Sequence, residues 1–539
     1  MKGRVKQNMS RKQWITISIT GIFLVLLILV GLTYAYFLTR INGNTNDKSI
    51  SVSTANLELK YDDIEQVLIS EENVEPGKTW TKKFSATNTG SKKVESYGVA
   101  LENVINTLKR TEDLVYTLNC TSSLGTNCNK VEDEQEFPTM GKILITNSIE
   151  SKEVQSYELT ITYKEQNIDQ SVDMNKQFSA KVNIVNPSTF NPYVGSMLNS
   201  VIIESAKNAI EESDATRTTF GSEVTEFTSI SGENERVLNN APDDYGISYY
   251  FRGNVNDNYV SFANKTWRIV RINGDGTVRL VLDDVAKDTS ENLIETSFNS
   301  SYNDNADVGY MYGTAGSTTY DATHANKNDS TMKTKVDKWY EDNIKTNYAN
   351  YLEDTLFCND KTLASSGIGG VETQLGYGKN KTYYSSEERL QYSTGATDIT
   401  TSKPTFKCAE NATNTYSRYT VNETTLLNGN KTNGDLKYPI GLLSADEVAY
   451  AGAYKYAQTN TNYYLYNSFI TLGWRLSTPF SFNGSYASEW CVGYKSGRIT
   501  YCSADGSYAF RPSLNLKANV IVSSGDGTKE NPYTVKLAN

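Results

Sequence analysis

From Ser49 to about Asn186, apolar and polar residues alternate in short runs: Ser51 to Leu59, Thr79 to Thr87, Val154 to Tyr163 and Phe178 to Val185. A period of two sends successive side chains to opposite faces, so each run predicts a half-buried strand. Turn chemistry separates the runs at Glu75-Pro76-Gly77-Lys78 and Asn88-Thr89-Gly90. With helical periodicity mostly absent, the pattern predicts an all-β sandwich over 39–190. It breaks at Asn186-Pro187 and Asn191-Pro192. Beyond, Met197, Leu198, Val201, Ile202, Ala206 and Ile210 recur at helical spacing, which predicts one amphipathic helix packed on the following domain. Residues 213–235 are rich in Ser, Thr and Glu and read as a flexible link, so 191–235 is assigned to helix and linker.

The region 236–539 opens on short aromatic runs, Tyr249 to Val255, Asn258 to Phe262, Thr266 to Ile272 and Gly276 to Leu282. Asn273-Gly274-Asp275-Gly276 supplies the positive φ of a tight hairpin, so an antiparallel meander is expected. Val336, Trp339, Tyr340, Ile344, Tyr348, Tyr351 and Leu352 mark one face of a helix and its continuation. Ser444 followed by Glu447 is a capping box opening a second helix. Helices beside a small sheet predict an α+β domain.

The N-terminus follows a different rule. Lys2, Arg4, Lys6, Arg11 and Lys12 form a cationic flank over 1–13, and an apolar run fills 14–38. A helix needs about 20 residues to cross roughly 30 Å of hydrocarbon, and Ile15 to Phe37 meets that length, so a transmembrane helix is predicted. The basic flank puts the N-terminus in the cytoplasm and the bulk of the chain outside a single-pass membrane anchor. Thr33-Tyr34-Ala35 also reads as a cleavage site after Ala35, in which case the protein is secreted. Anchor and cleaved signal both stay open.

Composition narrows the partners. A net charge of -10 argues against nucleic acid, which requires a basic face. There are 37 Tyr against 17 Phe and 6 Trp, which suits strand faces and recognition loops. The six cysteines fall in three regional pairs; of the 15 connectivities, Cys120 with Cys128, Cys358 with Cys408, and Cys491 with Cys502 is the most economical. Such bridges persist outside the cell. No short C-x-x-C spacing occurs and there is one histidine, so no metal site is assigned.

Two resemblances add to this. Thr33 to Phe37, the strand ending Leu57-Glu58-Leu59, and Pro76-Gly77-Lys78-Thr79-Trp80-Thr81-Lys82-Lys83-Phe84 leading to Asn88-Thr89-Gly90 resemble the TasA/camelysin group of exported Gram-positive surface and biofilm-matrix proteins, over about 30–190. The resemblance implies a jelly-roll-like sandwich, cleavage after Ala35 and, in some members, assembly into fibres. Over about 245–539, Tyr249 to Leu282, Asp354 to Asp360, Tyr438 to Leu443, Gly473 to Pro479, Glu489 to Val492, Tyr501-Cys502, Phe510 to Leu516 and Ser524 to Thr528 resemble an uncharacterised C-terminal domain of Gram-positive surface proteins. Its final Phe-Arg-Pro strand is loosely similar to the C-type-lectin and formylglycine-generating-enzyme fold.

Catalytic chemistry is sparse. His324, in a polar stretch, is expected to be exposed, and one imidazole supports few mechanisms. No cysteine motif of a formylglycine-generating enzyme occurs, and abundant carboxylates select no glycosidase pair. Asn303-Asp304-Asn305-Ala306-Asp307 lacks the glycine and terminal Glu of a calcium loop and reads as a solvated turn. No cofactor is expected. Recognition remains: Trp490, Tyr494, Tyr501 and Tyr508 are candidate ligand-binding residues in a Gly/Ser-rich stretch beside a disulfide, while Trp474 is assigned to the core. The leading expectation is a non-catalytic cell-surface adhesion module for an extracellular glycan or protein ligand. The alternative is a matrix fibre component self-assembling through the sandwich after cleavage near Ala35.

Overall fold

The computed structural model describes residues 59–63, 69–72, 76–173, 177–212, 224, 227, 238–391, 403–408, 415–468, 470 and 473–538. The apolar segment 14–38, Ala35 and nearly all of the 213–235 link lie outside the described residues. Among the described residues no helix is long and apolar enough to cross a membrane. The chain divides into two compact units, Met1–Pro192 and Tyr193–Asn539.

The first unit is built from β1 (Leu59–Asp63), β2 (Ile69–Glu72), β3 (Thr79–Asn88), β4 (Val94–Asn106), β5 (Leu114–Ser122), β6 (Val131–Glu136), β7 (Lys142–Ile149), β8 (Val154–Tyr163) and β9 (Gln177–Val185). They form two antiparallel sheets, β1-β3-β8-β5-β6 and β2-β9-β4-β7. The alternation explains the pairing. Trp80 lies opposite Ile161 and Phe84 opposite Tyr157, and all four are buried on the inner face. Trp80 of one sheet meets Phe178 of the other edge to face at 5.0 Å, so the two inner faces share one core. Polar groups caught between the sheets are paired: the Tyr97 hydroxyl meets Tyr157 and Gln155, and Asn147 Nδ2 donates to the Tyr157 hydroxyl at 2.9 Å. In the Asn88-Thr89-Gly90 turn, the Asn88 side chain accepts from Gly90 N and donates to the Lys92 and Ile149 carbonyls. Cys120–Cys128 ties β5 to the loop before β6.

The second unit begins with α1 (Leu198–Glu212), whose buried Leu198, Val201, Ile202 and Ala206 belong to that unit's own core. The helix is therefore part of the domain rather than a connector to it. Its strands are β10 (Leu238–Asp243), β11 (Gly246–Phe251), β12 (Tyr259–Phe262), β13 (Lys265–Ile272), β14 (Val278–Leu282), β15 (Trp474–Phe482), β16 (Ala487–Val492), β17 (Ile499–Ser503), β18 (Ser513–Leu516), β19 (Val520–Ser524) and β20 (Tyr533–Leu537), with several two-residue bridges between. The larger sheet runs Ile440–Gly441, β18, β14, β13, β12, β20, β19, with β11 and β10 branching from β13. A smaller sheet runs Thr382–Tyr383, β15, β16, β17, and Ala509–Phe510 joins β15 in parallel. The helices after α1 are α2 (Tyr320–His324), α3 (Thr331–Asn343), α4 (Ser385–Leu390) and α5 (Ala445–Ala451).

Local chemistry sets these elements. The β13–β14 turn closes by Asn273 N donating to Thr277 O at 2.8 Å, and Gly276 supplies φ +90°. A Cβ on Gly274 would stand 2.5 Å from Gly246 N, so no side chain fits there. Helix α5 opens with the reciprocal bonds read from sequence, Glu447 N to Ser444 Oγ at 3.1 Å and Ser444 N to Glu447 Oε2 at 3.0 Å. Helix α3 ends sooner than its periodicity suggests: Lys345 N reaches back to Tyr340 O, unwinding the last turn, and Tyr348 and Tyr351 pack on Phe262 from the start and end of a 3-10 turn, Ala349–Tyr351. The Asn303–Asp307 stretch, expected as a solvated turn, is instead a short 3-10 turn with Asp304, Asn305 and Asp307 buried, because Asp304 and Asp307 cap each other's backbone and so satisfy their polar groups internally.

A second expectation is overturned. His324 is buried, not exposed, at 0% relative accessibility, packed against Tyr320 and Tyr384 with Nε2 on the Gly376 carbonyl at 2.8 Å. Burial, helped by Lys361, pulls its pKa down to about 3, so the ring stays neutral. The polar neighbours that suggested a loop are the residues of α2 and its flanks, which fold over it.

Candidate functional site

The smaller sheet of the second unit gathers aromatic side chains contributed by three successive strands. Phe480 comes from β15, Trp490 from β16 and Tyr501 from β17, with Trp490 directly opposite Tyr501 in register. Cross-strand neighbours on one face lie within side-chain reach, so the rings meet. Phe480 packs edge to face on Trp490 at 4.8 Å and stacks on Tyr501 at 4.7 Å with 14° between planes. Lys455, from the loop after α5, places Nζ 4.6 Å from the Phe480 centroid and 5.2 Å from those of Trp490 and Tyr501. A cation over three ring faces is worth on the order of 1–2 kcal/mol when partly desolvated.

Helix α4 supplies the polar side. Trp490 Nε1 donates to Ser386 Oγ at 2.9 Å, and that hydroxyl donates to the Pro479 carbonyl at 2.6 Å. The next residue, Glu387, is 1% exposed, and its Oε2 has no hydrogen-bond partner. Burial pushes the Glu387 carboxyl up to about 8, with Lys455 and Lys381 opposing. Burial pulls the Lys455 ammonium down to about 8, with Glu387 opposing. An acid and a base thus titrate together beside an aromatic platform.

The four residues singled out from sequence are divided by the fold. Trp490 and Tyr501 come together, but Trp490 is 0% exposed and props the cluster from below, whereas Tyr501 is 55% exposed and offers a ring to solvent. Tyr494 is exposed in the β16–β17 turn, with Lys495 Nζ 4.9 Å from its ring. Tyr508 is half-buried and serves another structure: Arg475 stacks on it at 4.6 Å, and its backbone exchanges two 3.0 Å bonds with Thr296. Arg475 in turn donates to Glu489 Oε2 at 3.0 Å and to the Cys502 carbonyl at 3.2 Å, behind the Cys491–Cys502 disulfide. Trp474 is buried at 3% accessibility, in the core. Phe480 could have been suspected from its strand; Ser386, Glu387 and Lys455 arrive from distant segments and carried no local signal.

Two other polar features lie in this unit. Glu447 Oε1 accepts from Arg279 Nη1 at 2.6 Å and Arg271 Nε at 3.2 Å, Arg271 Nη1 also reaches Asp243 at 2.8 Å, and Arg389 bridges Asp360 and Asp446. This ionic cluster is buried beside Cys358–Cys408 and encloses about 20 Å³, space for about one water. An open cleft of about 440 Å³ is lined by Tyr245, Asp275, Thr277, Glu353, Asp354 and Asn422, among others. Asp354 is held by Val421 N at 2.7 Å and Asn422 N at 2.8 Å, and Asp275 by Thr277 N at 2.9 Å, so these carboxylates brace loops. Among the described residues no group of three His, Cys, Asp or Glu is placed to hold a metal ion.

Among curated proteins, none matches the chain. A solved structure titled "AvmM Catalyzes Macrocyclization in Alchivemycin A Biosynthesis" is 11% identical and covers 26% of this chain and 94% of its own, with a TM-score of 0.14, too low for a shared fold to be argued. The informative match is at the N-terminus, where residues 10–209 are similar to the family described as Camelysin metallo-endopeptidase.

Proposed function

We propose that this is an exported bacterial surface or extracellular-matrix protein, without catalytic activity, whose second unit presents a ligand-binding face. The observation that carries the reading is the camelysin match over residues 10–209, which takes in Arg11 and Lys12 at the end of the cationic start, the apolar segment and the sandwich. The three disulfides, all six cysteines paired, suit a chain that works outside the cell. A jelly-roll sandwich followed by a lectin-like head is part of the same proposal. Two antiparallel sheets around one core support the first, and a β-rich unit whose aromatic sheet cluster exposes the Tyr501 ring supports the second.

The family description names a metallo-endopeptidase, but that activity does not transfer on the residues present. The chain's single histidine, His324, lies outside 10–209 and is buried with Nε2 engaged, so the matched segment offers no imidazole to a zinc site. Tyr501, with Tyr494 nearby in sequence, is our choice for the ligand-contacting surface, taking the apolar face of a glycan or protein ligand. A matrix role after cleavage near Ala35 is the second reading, favoured by the same family match. N-terminal sequencing of protein recovered from cells and medium separates the two. An intact Met1 in the membrane fraction supports the anchored module, and a start at Tyr36 in the medium supports the matrix component. Recovery only from the cytosol overturns both.

A further inference from the structure

Lys361 is fully buried at 0% accessibility and has no carboxylate of the described residues within ion-pair distance, an unusual position for an ammonium group. Its Nζ contacts the Met311 carbonyl at 2.8 Å, the Tyr419 hydroxyl at 2.9 Å, the His324 carbonyl at 3.3 Å and Asn326 Oδ1 at 2.7 Å. Burial pushes this amine well below its ordinary range, with only Asp435 opposing, which favours the uncharged, nucleophilic form over the ammonium.

The carboxamide it touches is polarised by its other partners. Tyr419, itself 1% exposed, donates its hydroxyl proton to the same Asn326 Oδ1 at 2.7 Å, polarising the carbonyl where negative charge would develop. Asn326 Nδ2 donates to Asp435 Oδ2 at 2.9 Å and to the Tyr416 carbonyl at 3.3 Å. Amine, oxyanion donor and a carboxylate on the departing nitrogen therefore gather about one carboxamide. Asp435 is exposed, which gives that nitrogen a way out to solvent.

We propose that Lys361 and Asn326 join in an intramolecular amide cross-link. Nζ bonds to Cγ of Asn326, the Cγ–Nδ2 bond breaks, and Nδ2 leaves as ammonia carrying its own two hydrogens and one lost from Nζ. Asp435, hydrogen-bonded to the leaving nitrogen, is the group that relays that proton. The exchange of one amide for another needs no oxidant, reductant or cofactor, and because it happens once per molecule it can be slow. The bond replaces a buried amine with a neutral amide, which keeps one N–H for the Met311 carbonyl and leaves the Tyr419 bond intact. It also closes a covalent loop between the segment after α2 and the segment after Cys358, restricting the unfolded chain as a disulfide does but without sensitivity to reductant.

Peptide mapping of the full-length protein tests this. After reduction, alkylation and tryptic digestion, the expected product is a branched peptide joining the Asn326 and Lys361 segments, one ammonia lighter than the two linear peptides together, with no cleavage after Lys361. Quantitative recovery of both linear peptides, with cleavage after Lys361, overturns the proposal. Lys361→Arg keeps donors in the buried site and should yield only linear peptides. Persistence of the branched species in that variant would equally overturn it.

Discussion

At the scale of single residues, Glu387 makes the sharpest claim. Its carboxyl is carried from an unfolded value of about 4.3 to about 8 by burial. A raised folded pKa means stability is fully present below the unfolded value and declines as pH rises through about 8, because the unfolded chain gives up its proton first. Glu387→Gln imitates the neutral acid and removes this dependence. Thermal melts of the two proteins should therefore nearly coincide at pH 4 and diverge in favour of the variant at pH 8, by on the order of a few kcal/mol. Parallel curves across that window would refute the assignment. His324 and Asp244 also titrate differently in the folded state, but both are present in each protein and cancel in the difference, whereas Lys455, on which Glu387 acts directly, loses that support in the variant and contributes to that difference. The aromatic residues separate in the same way. Trp490→Ala empties a fully buried site and should cost about 3–5 kcal/mol, whereas Tyr501→Ala removes an exposed ring and should leave the melt within about 1 kcal/mol. If Tyr501 contacts ligand, that variant alone should lose binding on a glycan and protein array while remaining folded. Array binding unchanged in the Tyr501 variant would remove this residue from the site.

At the scale of elements, what was legible was what the local chain decides. The strands β3, β8 and β9 follow the period-two runs, the β13–β14 hairpin follows its glycines, and α5 starts where Ser444 and Glu447 cap each other. What was not legible was everything set by meetings of distant segments. Glu447 reads in sequence as a capping residue, yet its second oxygen closes a buried ionic cluster with Arg271 and Arg279 from strands far earlier in the chain. The candidate site shows the same division: Trp490 and Tyr501 are eleven residues apart across one hairpin and could be found together, while Glu387 and Lys455 arrive by tertiary packing. The double role of Glu447 gives a test. Ser444→Ala removes one cap bond and should cost about 1 kcal/mol, while Glu447→Ala also takes the carboxylate from the buried Arg279 and one of two from Arg271 and should cost about 3–5 kcal/mol or prevent folding. Equal costs measured by chemical denaturation would mean the ionic cluster adds nothing to the cap.

At the scale of the whole molecule, composition and the N-terminal segment directed the reading outward, and the two cores determine what can be asked of it. Each unit has its own cluster of buried apolar side chains, one built from β3, β4, β5, β8 and β9, the other from both sheets of the second unit with α1 and α3. Because α1 contributes Val201 and Ile202 to the second core, the boundary of an independently folding fragment falls before that helix, near Tyr193, and not after the linker at 235. A fragment of 193–539 should therefore fold cooperatively, and one starting at 236, which lacks the buried face of α1, should be markedly less stable. Removing the four side chains Leu198, Val201, Ile202 and Ala206 from a core uncovers apolar surface worth on the order of 5 kcal/mol, comparable with the whole stability of many domains. The same fragment carries Cys358–Cys408 and Cys491–Cys502, whose loops span 50 and 11 residues. Chain-entropy reasoning assigns roughly 4 and 3 kcal/mol to them, so reduction should lower the melting temperature of 193–539 steeply. Melts of the two fragments with and without reductant check both statements, and equal stability with and without α1 would return that helix to the role of a linker.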